Sequence, residues 1–125
     1  MLLKIILNAN KVNELSKGLM FSNPLEKDEC AFFTFPYTDD HSFWNKNVDY
    51  PISLLFLDEN FEIKHIDRLE KQQETPIRSN YPFIKYVVEG HNDLPVENDI
   101  NIGDFCFPEK NIIKIIKVDK NHKKK

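Results

Sequence analysis

The chain has 125 residues, is 41% apolar and contains ten phenylalanines. We therefore expect one folded domain with a single core, and we exclude a disordered chain. Its net charge of −3 and its two arginines, Arg68 and Arg78, argue against specific nucleic-acid binding, which relies on a basic excess and on bidentate guanidinium groups.

The first apolar run, at residues 2–7, predicts a strand and not a targeting segment. It is interrupted by Lys4 and is too short for a signal peptide or a membrane span. We therefore expect no membrane insertion and a protein that is cytoplasmic or virion-associated. In that setting the two cysteines, Cys30 and Cys106, are expected to be reduced, buried thiols and not a disulfide.

A short helix is predicted after this strand. Val12, Leu15 and Leu19 are spaced i, i+3 and i+7, which places them on one helical face. Asn10 is a suitable N-cap, and Gly18 is a suitable stop.

From Pro24 onward the pattern is typical of strands. The apolar run CAFFTF is predicted to end at Pro36, and residues 41–47 form a candidate strand. The segment ISLLFL is apolar at every position, as in a central strand. The turn LDEN should place Asn60 at positive φ, with FEIKHI as the returning strand.

Residues 69–82 are predicted to form one long loop, because they are polar and contain two prolines. FIKYVVE is a further strand, and NDLPVEND is predicted as a helical turn capped by Asn92 with Pro95 in its first turn. The last extended segments are INIGDFCF and NIIKIIKV. At the start of INIGDFCF a tight turn is predicted, in which Gly103 is expected at an unusual φ and Asp104 is expected to bond the backbone.

Strands separated by frequent turn signals predict a mainly β fold. We expect a compact, jelly-roll-like or barrel-like antiparallel β-domain with one or two short helices. The single β-domain is expected to span residues 1–107. Residues 108–125 are predicted to add a C-terminal strand and a basic, solubilising tail.

Several segments, in a fixed order over residues 7–107, resemble the domain-of-unknown-function-192 family. The matching residues are Gly18, Leu19 and Met20; Phe33 and Phe35; Phe43, Trp44, Lys46 and Asn47; Pro51, Ile52, Phe56, Leu57 and Asp58; Tyr86, Val87 and Glu89; Gly103 and Asp104. The resemblance implies a jelly-roll-like β-fold and implies no reaction. Asn45 departs from the pattern, which has Met there, and this predicts either a wetter strand face or a local compromise in the core.

The segment FWNKN contains the only tryptophan. Side chains alternate along a strand, so Trp44 and Lys46 would share one face. An indole can stack on a sugar or a base, and an ammonium group can neutralise a carboxylate or a phosphate. The more ordinary interpretation makes Trp44 a core residue and Lys46 a solvated lysine, because large apolar side chains are mostly buried.

The sequence contains no complete catalytic set. It has no Gly-x-Ser-x-Gly motif and no phosphate-binding glycine loop, and neither cysteine has a neighbouring histidine. Asp39, Asp40 and His41 lack a second cluster with ligand spacing, so no metal site and no cofactor are expected. His65 and His91 are predicted to be strand and turn residues.

The leading hypothesis is a non-enzymatic binding domain for a protein partner or a carbohydrate-like ligand. Its candidate binding residues are Trp44, Lys46, Asn47, His41, Asp49 and Glu89. One alternative is an enzyme of unassigned class, hydrolytic in one version, which requires at least two of Asp40, His41, Asp49 and Glu89 to converge in one pocket. The other is a viral structural or accessory protein, suggested by the abundance of Lys, Asn and Ile, which have AT-rich codons.

Overall fold

The computed structural model describes residues 1–118, so the predicted basic tail KVDKNHKKK lies outside the described residues except for Lys117 and Val118. The strands are β1 (Leu2–Ala9), β2 (Glu29–Asp39), β3 (Ser42–Phe43), β4 (Ile52–Leu57), β5 (Ile63–Leu69), β6 (Ile77–Arg78), β7 (Ile84–His91), β8 (Phe105–Glu109) and β9 (Ile112–Ile116). The helices are α1 (Val12–Lys17) and α2 (Leu94–Glu97). The prediction of a mainly β fold with short helices is therefore confirmed.

Seven strands form one sheet in the order β5-β4-β7-β2-β1-β9-β8, and β3 pairs with β6 in a second, two-stranded sheet. The large sheet curls so that its two edge strands, β5 and β8, come into contact near their first residues. The backbone N–H of Ile63 donates to the carbonyl of Asp104 at 2.8 Å, and the N–H of Cys106 donates to the carbonyl of Phe61 at 2.9 Å. These bonds join the start of β5 to the start of β8 and give the sheet the shape of a half-barrel.

One pair of neighbouring strands, β1 with β2, is parallel, whereas the other pairs in the large sheet are antiparallel. Parallel strands need a crossover connection that leaves the sheet edge and returns across a face. Here the crossover spans residues 10–28 and includes α1. The crossover lies against β2, where Gly18 packs on the ring of Phe33. An alanine at position 18 would place its Cβ 3.5 Å from Phe33 Cζ.

Alternation along the strands divides the core into two clusters, one on each face of the sheet. On β2, Ala31 and Phe33 belong to one cluster, and Cys30 and Phe32 belong to the other. Every residue of β4 is buried, which confirms the prediction of a central strand.

The two cysteines are free and buried. Burial raises the pKa of Cys30 to about 12. The pKa of Cys106 is also raised to about 12, mainly by burial and in addition by the neighbouring Cys30 and Asp104. A raised pKa favours the protonated thiol at neutral pH, which is a weaker nucleophile than the thiolate.

The helix prediction is correct in position but wrong about its buried face. Leu19 is buried and Leu15 is partly buried, but Val12 is 81% exposed. The helix is capped at Lys11 and not at Asn10. The physical reason is that the Glu14 carboxylate accepts hydrogen bonds from the backbone N–H groups of Asn10 and Lys11, which stabilises the first turn of the helix.

Several predicted boundaries are wrong, each for a local reason. β2 continues through Pro36 to Asp39. Proline is tolerated there because the pairing of β2 with β7 is interrupted between Thr34 and Asp39, so no ladder bond is lost. In the turn after β4, Phe61 and not Asn60 has positive φ. The Asp58 carboxylate accepts the N–H of Asn60 and Glu62 and fixes that turn.

Other corrections concern the loops. The predicted long loop at 69–82 is shorter, because Leu69 ends β5 and β6 pairs with β3 inside the loop. α2 is capped at Asp93 and not at Asn92. The prediction for Gly103 and Asp104 is confirmed: Gly103 has φ of 99°, and Asp104 Oδ2 accepts the backbone N–H of Asn101 at 2.8 Å. Among the described residues, no helix is long and apolar enough to cross a membrane.

Candidate functional site

A cavity of about 160 Å³ opens on the side of the sheet that the crossover covers. We call it the Trp44 cavity. Four separate parts of the chain form it: the crossover, β2, the segment around β3, and β7. Its lining residues are Leu15, Ser16, Lys17, Gly18, Leu19, Met20, Phe33, Phe35, Ser42, Phe43, Trp44, Asn45, Lys46, Val48 and Glu89.

The strand predicted at residues 41–47 contains only Ser42 and Phe43. After Phe43 the chain turns, with the N–H of Val48 bonded to the carbonyl of Asn45 at 3.1 Å and Asn47 at φ of 61°. The strand ends there because the turn bonds replace ladder bonds.

The predicted alternation of side chains nevertheless holds across this turn. Phe43 and Asn45 are buried, whereas Ser42, Trp44 and Lys46 are exposed. The interpretation of Trp44 as a core residue is therefore wrong.

Trp44 lies at the boundary between solvent and the cavity. Its side chain is 43% exposed and also contributes to the cavity lining. Lys46 Nζ lies 5.4 Å from the centroid of the indole ring, a cation–π distance. The two residues thus form one amphipathic surface, with an aromatic plane and an adjacent positive charge.

Asn45, at which this chain departs from the family pattern, is 1% exposed. Its Nδ2 donates to the carbonyl oxygens of Tyr50 and Glu70, each at 2.9 Å. These bonds identify the other atom as Oδ1, which accepts no hydrogen bond from the described residues. Asn45 therefore anchors the turn under the tryptophan, and its Oδ1 is left as a buried, unpaired acceptor.

Glu89 lies on β7 and is 4% exposed. Its strand neighbours on the two sides are Ala31 and Leu54, which are apolar and fully buried. Burial therefore raises the pKa of Glu89 to about 8, and no hydrogen bond or opposite charge among the described residues counters it. At neutral pH this side chain is a neutral carboxylic acid, able both to donate and to accept a hydrogen bond.

The remaining candidates lie outside the cavity lining. The imidazole of His41 stacks on Phe35, and Nε2 lies 3.1 Å from the carbonyl oxygen of Tyr37. Asp40 binds the loop after β6 through the N–H of Asn80 and the hydroxyl of Ser79. Neither residue is part of the lining of the Trp44 cavity.

Asp49 is exposed, and the backbone N–H of Asn47 is bonded to Gln72 Oε1 at 3.1 Å. The enzyme hypothesis requires at least two of Asp40, His41, Asp49 and Glu89 to converge in one pocket, and only Glu89 lines the Trp44 cavity. Of the six candidate binding residues, Trp44, Lys46 and Glu89 line the Trp44 cavity, whereas His41, Asn47 and Asp49 do not.

Sequence reasoning missed the contribution of the crossover, where Lys17 and Gly18 line the cavity. The Gly-Leu-Met part of the family pattern was the available signal for this segment. The parts of the pattern that are distant in sequence meet here: Gly18, Leu19, Met20, Phe33, Phe35, Phe43, Trp44, Lys46 and Glu89 all line the cavity.

A second cluster lies at the C-terminal end of β7, where His91 is the last residue of the strand. His91, predicted to be an isolated turn residue, lies with Asp93 and Glu97 so that one ligand atom from each is within 4.8 Å of the others. The backbone N–H of Asp93 donates to His91 Nδ1, and Lys27 pairs with Glu97 at 3.2 Å. Both interactions already occupy ligand atoms of the cluster.

Similar solved structures share this fold. A candidate transcription regulator from Sinorhizobium meliloti 1021 is 25% identical with a TM-score of 0.75, over 78% of this chain and 76% of that chain. A protein of unknown function from Novosphingobium aromaticivorans DSM 12444 is 27% identical with a TM-score of 0.74, over 78% of this chain and 70% of that chain. Among curated proteins, none matches significantly. The model of the DUF192 family, described as uncharacterized ACR, matches residues 5–106, and the chain belongs to that family.

Proposed function

We propose that this protein is a binding domain for a small, carbohydrate-like ligand, which the Trp44 cavity receives. The observation that carries the proposal is the meeting of a half-exposed indole, a lysine and a buried carboxylic acid at one concavity. Sites for small ligands commonly combine an apolar or aromatic wall with a few polar groups that fix orientation.

The size of the cavity supports a small ligand. Its volume of about 160 Å³ is below the roughly 300–1,000 Å³ of sites for drug-sized molecules. A single sugar-sized ring suits this volume, with an apolar face on Trp44 and hydroxyl groups toward Glu89. Lys46, which lies over the indole, would share that face with the ligand or move aside.

Calorimetric titration of a monosaccharide panel tests the proposal. Because Trp44 is the only tryptophan, the intrinsic fluorescence of the protein reports directly on this site. We expect a ligand from the panel to change the fluorescence and Trp44→Ala to abolish the binding heat. Tyr81→Ala is the matched control, because Tyr81 is 42% exposed and does not line the cavity.

A protein partner that docks on Trp44 is the competing form of the binding hypothesis. The two forms differ at Glu89, which a surface partner does not reach because the residue is 4% exposed. Loss of binding in Trp44→Ala together with full binding in Glu89→Leu would contradict the small-ligand proposal and favour a protein partner.

An enzyme is the second candidate function, and the raised pKa of Glu89 favours it, because a carboxyl that is protonated at neutral pH can act as a general acid. Hydrolysis of a glycoside by the usual route needs a second carboxylate, and among the described residues Glu89 is the only acidic one in the cavity lining. Turnover of chromogenic glycosides or esters that is lost in Glu89→Gln would support this alternative. The viral structural or accessory role rests on codon usage alone.

A further inference from the structure

The charges that line the Trp44 cavity are unequally distributed between its exposed and its buried parts. Among residues 1–118, its charged or ionisable lining residues are Lys17, Lys46 and Glu89. Both lysines are exposed, whereas Glu89 is buried. Burial between Ala31 and Leu54 favours the neutral form of Glu89, which does not cancel the positive charge of the lysines. The accessible part of the site therefore carries two positive charges.

The buried part of the site favours an uncharged polar group of the ligand. Burial is the only influence on the Glu89 carboxyl, with no hydrogen bond or opposite charge from the described residues. Asn45 also lines the cavity, and its buried Oδ1 has no partner among the described residues. A hydroxyl group complements a protonated carboxyl, because each both donates and accepts. A carboxylate or phosphate placed in that part would lose its water without gaining a positive charge, which is costly.

The exposed and buried parts are bridged by an aromatic plane. Trp44 contributes to the lining between solvent and the interior, and Lys46 Nζ already lies 5.4 Å from its centroid. A ring that stacks on this indole therefore has a lysine ammonium close to its edge. An inorganic anion would satisfy the lysines but would leave the indole and Glu89 unused.

We propose that the ligand is an anionic hydroxylated ring of the hexuronate type, with its carboxylate at Lys17 and Lys46 and a hydroxyl at Glu89. This inference rests on the proposed function and specifies its substrate class. It makes Lys17 and Lys46 the residues that select for charge, and Glu89 the residue that selects for hydroxylation.

Matched ligands separate the two requirements. D-Glucuronate and D-galacturonate differ from D-glucose and D-galactose only in carrying a carboxylate at C6. Cyclohexanecarboxylate has the charge and the ring but lacks hydroxyl groups. By calorimetry and Trp44 fluorescence we expect at least one hexuronate to bind at least tenfold more tightly than its parent hexose, and at least tenfold more tightly than cyclohexanecarboxylate. The preference over the hexose should decrease as salt is added, because exposed charges are screened.

Variants assign the selectivity to residues. Lys17→Met and Lys46→Met should each reduce the preference for the hexuronate over its hexose by at least threefold. Lys114→Met is the control, because Lys114 is an exposed lysine outside the lining. Glu89→Leu should weaken both sugars tenfold and leave cyclohexanecarboxylate unchanged, and a cooperative urea transition would verify that the variant is folded.

The outcomes distinguish this inference from the proposed function. Equal affinity for a hexuronate and its hexose would overturn the anionic part of the inference and leave the proposed function standing. Equal affinity for the hexuronates and cyclohexanecarboxylate would overturn the role of the hydroxyl groups. If the wild type binds none of the five compounds, the proposed function fails and the inference fails with it.

Discussion

The imidazole of His41 lies parallel to the ring of Phe35, with centroids 3.6 Å apart and planes inclined by 11°. Phe35 lines the Trp44 cavity, so His41 is linked to the cavity through this stack. The pKa of His41 lies below 6.5, and burial of the imidazole is the largest cause. Lys85 also lowers this pKa. The Tyr37 carbonyl, Asp39 and Asp40 raise it, but they do not outweigh the burial.

We expect Phe35→Ala to raise the pKa of His41 toward 6.5, because removing the stacked ring exposes the imidazole to water. Titration of the His41 ring protons by NMR measures this change. Phe107→Ala removes an exposed ring that does not stack on His41 and should leave its pKa unchanged. An unaltered His41 titration in Phe35→Ala would show that burial by this ring is not the cause.

Glu89 should make the protein less stable as pH rises. Its folded-state pKa of about 8 lies above the ordinary value of 4.5, so between these values the folded state binds more protons than the unfolded state. The free energy of unfolding then falls with pH over that range, by up to about 1.4 kcal/mol per pH unit, and levels off above pH 8. Urea unfolding from pH 5 to pH 9 measures this slope.

Glu89→Gln removes the titrating group and keeps its shape, so the slope between pH 5 and pH 8 should flatten. Glu109→Gln, on an exposed residue, should retain it. A wild-type stability that is constant or rising across this range would contradict a protonated Glu89.

Asp104 is expected to stabilise the C-terminal strand region. Although burial alone would raise its pKa, hydrogen bonds from the backbone N–H groups of Val118 and Asn101 and from Lys117 outweigh that effect and lower it. Asp104→Asn should therefore cost about 1–3 kcal/mol of unfolding free energy at pH 7, because three donors lose a charged acceptor. The stabilising contribution is present above pH 3.8 and is lost as pH falls through the lower folded-state pKa.

Asp99→Asn is the matched control for Asp104. Asp99 is also near Lys117, at 3.9 Å, but its side chain is 85% exposed, and exposed ion pairs contribute about 0–1 kcal/mol. Equal losses in the two variants, measured by urea unfolding, would refute the special role of the buried carboxylate.

Replacement of Gly18 should destabilise the protein because of its backbone conformation and not because a larger side chain would clash. It has φ of 51° and ψ of −130°, whereas the Cβ of an alanine would lie 3.5 Å from Phe33, an ordinary contact. We expect Gly18→Ala to cost about 1–3 kcal/mol, and Ser16→Ala, at an exposed position of α1, to change stability by at most about 0.5 kcal/mol. Thermal or urea unfolding compares them, and a neutral Gly18→Ala would mean that the crossover can adopt another backbone.

Local sequence patterns predicted the features that depend on neighbouring residues. The uninterrupted apolar run at β4 indicated a central strand, and alternation around Trp44 separated the buried Phe43 from the exposed Lys46 even though the strand ends at Phe43. Short-range periodicity determines these features, so they survive errors in element boundaries.

The cavity itself could not be predicted in this way. It requires the crossover to return over β2 and requires Glu89 to lie between Ala31 and Leu54. Both relations come from the order of strands in the sheet, where residues dozens of positions apart become neighbours. An acid at the end of an apolar strand was therefore visible in the sequence, but its isolation from water was not.

The order of the strands also has a consequence for biosynthesis. Of the described strands, β1 leaves the ribosome first, yet it lies between β2 and β9, and β9 is made last. Until Ile113 and Lys114 arrive to pair with Leu3 and Leu2, the nascent chain presents β1 as an open sheet edge, which can pair with another chain. Ribosome stalling or premature termination before β9 should therefore yield aggregation-prone fragments, and chaperones that bind nascent chains would be needed most until β9 has been made.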